Sequence, residues 1–417
     1  MHSDLTPANV VGAAQRLGMT IRQTTLDLSL RLSGELRTPV YLKREDLQVG
    51  RSYKVRGAYT MISALSATDR QGGVACASAG NHAQGVAFAC RQLRIRGKVF
   101  LPTTTPRQKR DRIAAIGGQW IEQVIGGLTF DETSEAAQAY AREAGATYVP
   151  PFDHPQVILG QATVGKEILD QASAQIGTIV VPVGGGGLAA GIALWCKHVD
   201  PSITIIGAEP EGAASMQAAL QAGHPVKLDQ IDPFVDGAAV GRVGALPYRL
   251  LSDLLDHVVS VPIGAVCTEM LDLYQTEGII AEPAGALASA AVRRYLPDID
   301  RERGIVAVVS GGNNDVSRYA DVLERSLVHE GLRHYFLVTF PQQPGALRTF
   351  LDHTLGTDDD IVLFEYTKKT NRETGPALVG IDIASPTALP PLLERMATSP
   401  LQIEKLAPDS PVFEFLL

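Results

Sequence analysis

The chain has 417 residues, of which 45% are apolar and 20% are charged. At roughly 150 residues per domain this length allows two or three folded domains, and the composition excludes a disordered chain, collagen and a small disulfide scaffold. The net charge of −8 leaves little counterion release to be gained from a phosphate backbone. We therefore expect no nucleic-acid partner.

The cysteines and the N-terminal residues indicate a location inside the cell. The four cysteines show no metal-ligand spacing, and residues 1–10 contain Asp4 and no basic patch ahead of an apolar stretch, unlike a signal peptide. Residues 178–196 are uncharged and long enough to cross a bilayer, but Pro182 and five glycines disfavour a spanning helix. We expect a cytoplasmic protein that does not contact a membrane.

Between residues 36 and 320, short β-branched runs alternate with Ala-rich helical patterns. The clearest predicted strands are 73–77, 97–101, 178–182, 204–208 and 304–309. This alternation is typical of parallel strands joined by helices, and uniformly apolar runs suit a sheet that is covered on both faces. Glycines cluster directly after these runs, at the strand-to-helix turns where ligands of open α/β sheets bind.

A different pattern begins near residue 332. Strand-like and helix-like segments follow the order βαββαβ, with strands at 335–340, 360–368, 376–383 and 401–406 and helices at 345–353 and 389–397. This order predicts a ferredoxin-like module. A last run, 411–417, is a candidate for one more strand. The segment has no evident catalytic cluster, which favours binding or regulation.

Lys54 is the first candidate for chemistry. It lies just ahead of a helical pattern at 57–65 and close to Arg56. A nearby cation and burial both lower the pKa of a lysine, as an amine requires to attack a carbonyl at neutral pH. Taken alone, a solvated loop lysine is the better interpretation, because most lysines are exposed. Three further segments favour a catalytic role for Lys54 instead.

The second segment runs from Ala77 to Gly85 and opens a helical pattern at 83–93. Free backbone N–H groups at such a helix start, together with the side chains of Ser78 and Asn81, can hold a carboxylate. Either side chain could equally cap the helix, and His82 could be a structural hydrogen-bonding residue.

The third segment is a run of glycines between a predicted strand and a helix predicted at 188–197. It consists of Gly184, Gly185, Gly186 and Gly187, followed by Leu188. One or two glycines suffice for a tight turn, so four favour a loop whose N–H groups surround a phosphate. The pattern is neither GxGxxG nor GxxxxGK[ST], which disfavours dinucleotides and nucleoside triphosphates.

The fourth segment is a buried strand that ends in Ser310, whose hydroxyl could bind a ligand heteroatom or close a turn. The four segments together supply an amine, a phosphate loop, a carboxylate loop and a neutral hydroxyl. Pyridoxal phosphate needs an amine for its aldehyde, donors for its phosphate and a partner for its ring nitrogen. We therefore expect this cofactor.

These segments resemble threonine dehydratase (threonine ammonia-lyase), a fold-type II pyridoxal-phosphate enzyme. Further matches are 101–106, 151–153, 236–240 and 277–286. The resemblance covers almost the whole chain and implies an α/β fold similar to tryptophan synthase β, with two open sheets of parallel type. It also implies a C-terminal ferredoxin-like, ACT-like regulatory domain. The expected division is a catalytic domain at 1–325, with a smaller subdomain at roughly 57–157, and a regulatory domain at 332–417.

The resemblance also implies a role for each candidate residue. Lys54 corresponds to the lysine that carries the cofactor and removes the Cα proton, and Asn81 to the partner of the ring hydroxyl. Gly184 to Leu188 correspond to the phosphate loop, and Ser310 to the partner of the ring nitrogen. The loop that holds the substrate carboxylate corresponds to Ser78, Asn81 and His82. The implied reaction is β-elimination from L-threonine to 2-oxobutanoate and ammonia, the first step of isoleucine biosynthesis.

Several positions depart from the family pattern. Thr24-Thr25 replaces the usual Thr-Pro, and Ala162 replaces a glycine in the usual Gly-Gln-Gly-Thr. Ala79 stands where the related serine racemases carry a second serine, which disfavours racemisation. Ser215 stands where relatives with a divalent-cation site, to which Glu209 would belong, carry aspartate. Loss of that hard oxygen anion argues against a metal site.

The segment 339–347 resembles the strand-to-helix turn of an ACT-like domain, in which Gly345 would leave N–H groups for the carboxylate of an amino acid. One such module implies inhibition by isoleucine and a homo-oligomer, with a tetramer favoured, although the module could instead only dimerise. Two alternatives to threonine dehydration remain open. They are serine dehydration, which differs by one methyl group, and a non-catalytic amino-acid sensor with the same fold.

Overall fold

The computed structural model describes residues 4–18, 20–366, 368 and 372–407. The chain forms two compact units, Met1–Asp315 and Val316–Leu417. The candidate strand at 411–417 lies outside the described residues.

The first unit alternates helices and strands along most of its length. Its helices are α1 (Pro7–Leu17), α2 (Leu30–Leu36), α3 (Lys54–Ser63), α4 (Ala67–Gly72), α5 (Asn81–Leu93), α6 (Arg107–Gly117), α7 (Phe130–Ala144), α8 (Pro155–Gln171), α9 (Gly187–Val199), α10 (Ser215–Ala222), α11 (Ala245–Leu254), α12 (Ile263–Glu277) and α13 (Pro283–Arg294). Its strands are β1 (Leu26–Leu28), β2 (Val40–Arg44), β3 (Val74–Ala77), β4 (Gly97–Leu101), β5 (Ile121–Ile125), β6 (Thr147–Tyr148), β7 (Ile176–Pro182), β8 (Thr204–Pro210), β9 (His257–Val261) and β10 (Gly304–Val309).

These strands form two open sheets. The larger has the order β1-β2-β10-β7-β8-β9, and the smaller has the order β5-β4-β3-β6. All neighbours are parallel except β1 and β2. Every residue of β7 and β10 is buried, as uniformly apolar strands in a sheet covered on both faces should be. The prediction of two open sheets of parallel type is confirmed.

Each sheet supports its own hydrophobic core, and the cysteines lie inside these layers. Cys76 and Cys90 belong to the core around the smaller sheet, whereas Cys196 belongs to the core around the larger one. Cys267 on α12 is buried as well. Burial raises the pKa of the Cys90 thiol to about 12 and the pKa values of Cys76 and Cys196 further still.

Glycines allow α8 to pack very closely against α3 on one side and α9 on the other. A Cβ atom added at Gly160 would lie 2.6 Å from the backbone oxygen of Arg56 and from Cα of Gly57. One added at Gly191 would lie 2.6 Å from the backbone nitrogen of Ala162. The helix backbones are therefore in direct contact, which fixes the positions of the residues that begin α3 and α9.

The second unit begins with α14 (Tyr319–His329) and continues as β11 (Arg333–Pro341), α15 (Ala346–Thr354), β12 (Asp360–Tyr366), β13 (Thr374–Asp382), α16 (Leu389–Thr398) and β14 (Gln402–Lys405). Its sheet has the antiparallel order β12-β13-β11-β14. This is the predicted βαββαβ module, and the ferredoxin-like expectation is confirmed. Among the described residues, no helix combines the length and the apolar character that crossing a membrane would need.

The packing of α8 yields a stability prediction. Gly160→Ala should lower the free energy of unfolding by about 1–3 kcal/mol, because the added methyl group meets backbone atoms that cannot rotate away. Gly34→Ala is the matched control, since that helical position is exposed and has nothing within 4 Å. It should raise stability by roughly 0.5–1 kcal/mol. Denaturant unfolding measures both changes, and equal stability of the two variants would contradict the packing argument.

Candidate functional site

A cavity of about 840 Å³ lies in the first unit where the carboxyl ends of several parallel strands meet. Segments that follow β3, β7 and β10 all line it, as expected for ligand sites in open α/β sheets. The cavity brings together every residue predicted for the first unit: Lys54, Ser78, Asn81, His82, Gly184, Gly185, Gly186, Gly187, Leu188 and Ser310. Gly345 belongs to the second unit.

Lys54 is the first residue of α3, so this helix begins three residues earlier than the sequence pattern predicts. Its Nζ atom donates a hydrogen bond to the carbonyl oxygen of Pro151 at 2.9 Å. The same atom lies 5.1 Å from the ring centre of Tyr53 and 6.0 Å from that of Phe152. The amine is thus held in the cavity by one carbonyl and two aromatic faces.

Arg56, the cation expected to act on Lys54, turns away from the cavity. Its guanidinium is buried and pairs with Glu45 at 2.8 Å and with Glu167 at 2.6 Å. Burial alone would raise the pKa of Glu45, but the charge of Arg56 and its hydrogen bonds outweigh burial and lower this pKa. Arg56 is therefore part of a buried ion cluster that anchors α3.

The residues next to two departures from the family pattern, Thr24 beside Thr25 and Thr163 beside Ala162, belong to this ion cluster. The Thr24 hydroxyl donates to Glu45 at 2.5 Å, and Lys43 donates to the backbone oxygen of Thr24 at 2.8 Å. The Thr163 hydroxyl accepts from Arg56 at 3.1 Å. These segments therefore act on the anchoring of α3 and do not line the cavity.

The glycine loop has no room for side chains. A Cβ atom added at Gly184 would lie 2.9 Å from Cα of Ala238. One added at Gly185 would lie 2.2 Å from the Phe152 ring, and one added at Gly187 would lie 2.9 Å from Cβ of Phe152. Gly186 has φ of 88° and precedes α9 without a side-chain cap. The first N–H groups of α9 therefore have no side-chain acceptor, and the loop fits an anion.

The loop before α5 positions Ser78, Asn81 and His82 differently. The Ser78 hydroxyl accepts from the backbone N–H of Gly80 at 3.2 Å, and Asn81 begins the helix. The ring of His82 is buried and its Nε2 lies 2.8 Å from the carbonyl oxygen of Val149. Burial and then the charge of Lys54 lower the pKa of His82 to about 3, so its ring is neutral at pH 7.

Ser310 lies directly after β10 and is buried. Its hydroxyl donates to the carbonyl oxygen of Ala284 at 3.1 Å. The lone pairs of the hydroxyl oxygen remain available, and rotation about the C–O bond would redirect its proton. The side chain can therefore serve either as an acceptor or as a donor for a ligand heteroatom.

Sequence reasoning missed Phe152, Glu282 and Asn313, all of which line the cavity. Phe152 packs on the glycine loop, while Glu282 is buried and accepts a hydrogen bond from Asn81 at 2.6 Å. One signal was available for Glu282, since it is the one acidic residue in the apolar stretch from Ile279 to Leu287.

The candidate cation ligand Glu209 is already engaged. Its two oxygens accept from the backbone N–H groups of Met216 at 2.7 Å and Gln217 at 2.8 Å. Burial raises its pKa to about 7. No group of three or more His, Cys, Asp or Glu side chains that could hold a metal ion occurs in the part of the chain that the structure describes.

These residues fit pyridoxal phosphate. The side-chain-free loop leaves space and backbone donors for a phosphate, Lys54 presents an amine, and Ser310 presents a neutral hydroxyl in the same cavity. Asn81 adds a side-chain amide to the same cavity. The donor set therefore matches the aldehyde, the phosphate and the ring of this cofactor.

Comparison with known proteins agrees with this fit. Residues 17–311 match the family described as pyridoxal-phosphate dependent enzyme, and residues 324–416 match the C-terminal regulatory domain of threonine dehydratase. The biosynthetic L-threonine dehydratase of Mycobacterium tuberculosis is 53% identical over 415 residues, which cover 99% of this chain and 96% of the relative. That of Bacillus subtilis is 46% identical over 409 residues, which cover 98% and 97%.

A solved structure shows the same similarity. The processed form of threonine deaminase isoform 2 from Solanum lycopersicum is 39% identical, with a TM-score of 0.71, and the match covers 77% of this chain and 94% of that chain. The chain therefore belongs to the pyridoxal-phosphate dependent enzymes and, within them, to the biosynthetic L-threonine dehydratases with a C-terminal regulatory domain.

Proposed function

We propose that this protein is a threonine ammonia-lyase that converts L-threonine to 2-oxobutanoate and ammonia, the first step of isoleucine biosynthesis. The observation that carries the proposal is the placement of Lys54 and the glycine loop at the starts of two helices that both pack on α8 and begin at one cavity. A cytoplasmic location is proposed with it, because the four cysteines are buried and form no disulfide, which suits a reducing compartment.

Each side chain has a proposed task. When bound, the cofactor withdraws electrons from Cα of the amino acid. Lys54 carries the cofactor and, once released, takes the Cα proton on its Nζ atom. Its aromatic neighbours Tyr53 and Phe152 limit the access of water to that amine.

The remaining residues bind and orient. The loop from Gly184 to Leu188 would hold the phosphate, and the Ser310 hydroxyl would be the partner of the ring nitrogen. A neutral hydroxyl leaves the ring a weaker electron sink than an aspartate would, and β-elimination tolerates this because the departing hydroxyl takes the electrons. The loop of Ser78, Asn81 and His82 holds the substrate carboxylate through the Ser78 hydroxyl and backbone N–H groups, and the neutral ring of His82 fixes this loop to Val149. The side-chain amide of Asn81 would face the ring hydroxyl of the cofactor.

Substitution of Lys54 tests the reaction. Lys54→Ala should lower ammonia release from L-threonine by at least about a thousandfold, because no other residue proposed here supplies the amine. The visible absorbance of bound cofactor should change, whereas circular dichroism should not. Lys166→Ala, which removes a lysine paired with Asp170, is the control and should retain activity. Appreciable ammonia release by Lys54→Ala, or a higher kcat/KM for L-serine than for L-threonine in the wild type, would overturn the proposal.

We further propose that regulation resides in residues 332–417 and catalysis in residues 1–325, with a smaller subdomain at roughly 57–157. The four-stranded sheet β3 to β6 supports that subdomain. The C-terminal domain would bind isoleucine at the start of α15. Gly345 supports this site, because it precedes α15 with φ of 91° and without a side-chain cap.

Gly345→Ala should raise the isoleucine concentration for half-inhibition by about fivefold or more, because the added Cβ strains the loop that presents these N–H groups. Turnover without isoleucine should stay within about twofold. Gly278→Ala is the control, since Gly278 has φ of 66° and open space around it but lies in the first unit. Unchanged inhibition of the Gly345 variant would refute the site.

We also propose a homotetramer, with pairing of regulatory domains between subunits. Exposed large apolar side chains on the first unit, including Leu28, Leu30 and Tyr274, supply surface for association. Light scattering on the eluting protein should give about four times the mass of one chain. A value near one chain mass over the working concentration range would contradict the proposal.

A further inference from the structure

Glu282 is a buried carboxylate in the cavity for which the proposed reaction has no task. It directly precedes α13, where its backbone oxygen accepts the first hydrogen bonds of the helix from Gly285 and Ala286. Its side chain is turned toward the cavity instead of capping that helix. Oε1 accepts from Nδ2 of Asn81 at 2.6 Å, and Oε2 accepts from the backbone N–H of Asn313 at 3.2 Å.

The orientation of the Asn81 amide follows from its second neighbour. Nδ2 of Asn313 is surrounded by acceptors: the carbonyl oxygen of Gly50 at 2.7 Å, Oδ1 of Asn81 at 2.7 Å and Oε1 of Gln84 at 3.3 Å. A flipped Asn313 amide would oppose oxygen to oxygen at each contact. Asn81 must therefore present its oxygen to Asn313 and its nitrogen to Glu282.

We propose that Glu282 is a positioning residue that fixes the Asn81 amide in one orientation, with one N–H bonded to the carboxylate and the other directed to the ring hydroxyl of the cofactor. The proposal rests on the function proposed above. An amide nitrogen carries two hydrogens, so both bonds can form together. Glu282 then acts on the cofactor only through Asn81.

Two glycines beside the Glu282 carboxylate leave the space that it occupies. A Cβ atom at Gly311 would lie 2.2 Å from Oε1 of Glu282, and one at Gly312 would lie 2.5 Å from the carbonyl oxygen of Ile280. The two glycines after Ser310 thus make room for Glu282 and its segment. Any side chain at Gly311 would displace the carboxylate from Asn81.

Burial, and to a smaller extent the charges that face Glu282, bring the pKa of its carboxyl close to neutral pH. Burial and then Asp236 raise its pKa to about 7, while the hydrogen bonds from Asn81 and Asn313 and the charge of Lys109 oppose this rise. Arg112 on α6 also interacts with it. As the pH falls below about 7, protonation should remove the anionic acceptor and loosen the Asn81 amide.

The test compares full-length holoenzymes with the substitutions Glu282→Gln, Asn81→Ala and both together. Equilibrium dialysis gives the dissociation constant of pyridoxal phosphate, and the visible spectrum is recorded from about pH 6 to about pH 8 without substrate. Glu282→Gln keeps the shape but not the charge. It should weaken cofactor binding by about tenfold and remove a spectral transition near pH 7.

Because Glu282 acts through Asn81, the double variant should bind the cofactor no more weakly than Asn81→Ala alone. Glu269→Gln is the matched control, since Glu269 is also a buried carboxylate whose pKa burial raises to about 7, yet it pairs with Arg31 outside the cavity. It should leave the cofactor dissociation constant and the spectral transition unchanged. Circular dichroism checks that each variant is folded.

Additive losses in the double variant, or an unchanged transition in Glu282→Gln, would overturn the positioning role. So would an equal effect of Glu269→Gln. If the wild type binds the cofactor and releases ammonia, and Glu282→Gln equals it in every measurement, only the positioning role is overturned. The proposed function then stands. A wild type that binds no cofactor would overturn both this role and the proposed function.

Discussion

The catalytic unit depends on the direct contact of three helix backbones. Glycines at the crossings of α8 with α3 and with α9 remove the side chains that ordinarily keep helices 8–10 Å apart. Since Lys54 begins α3 and the glycine loop leads into α9, this contact sets the separation between the amine and the loop. Side chains can move to another rotamer, but backbones that are already in contact cannot approach further. The contact therefore limits how far Lys54 and the glycine loop can shift relative to each other.

The first unit contains two kinds of buried carboxylate. One stays ionised in an ion pair, and the other can gain or lose a proton near neutral pH. Glu45 is paired with Arg56, which keeps it ionised well below neutral pH. Glu282 instead receives hydrogen bonds from a neutral amide and a backbone N–H, and burial raises its pKa to about 7. The strongly ionised pair lies in the protein interior beneath α3, whereas the carboxylate that can change state lines the cavity.

Local patterns predicted the parallel strands and the ligand-binding turns at their carboxyl ends. The chemical needs of one cofactor then grouped the four segments. Other features depend on contacts between distant residues. Arg56 lies close to Lys54 in the sequence. In the fold its guanidinium instead pairs with Glu167, which is more than a hundred positions away in the chain. Glu282 likewise meets Asn81 only after folding. Helix periodicity could not place the start of α3 at Lys54, since the preceding turn is set by the bridge between Ser52 and Gly311.

The buried cysteines have a consequence for the chemical durability of the enzyme. Thiolates are the species that oxidants and alkylating reagents attack, and burial holds Cys76, Cys90 and Cys196 in the protonated form at neutral pH. None of the four thiols lines the cavity where the cofactor fits. A reagent can therefore reach them only when a core opens, and the chemistry at Lys54 needs no reductant to protect it.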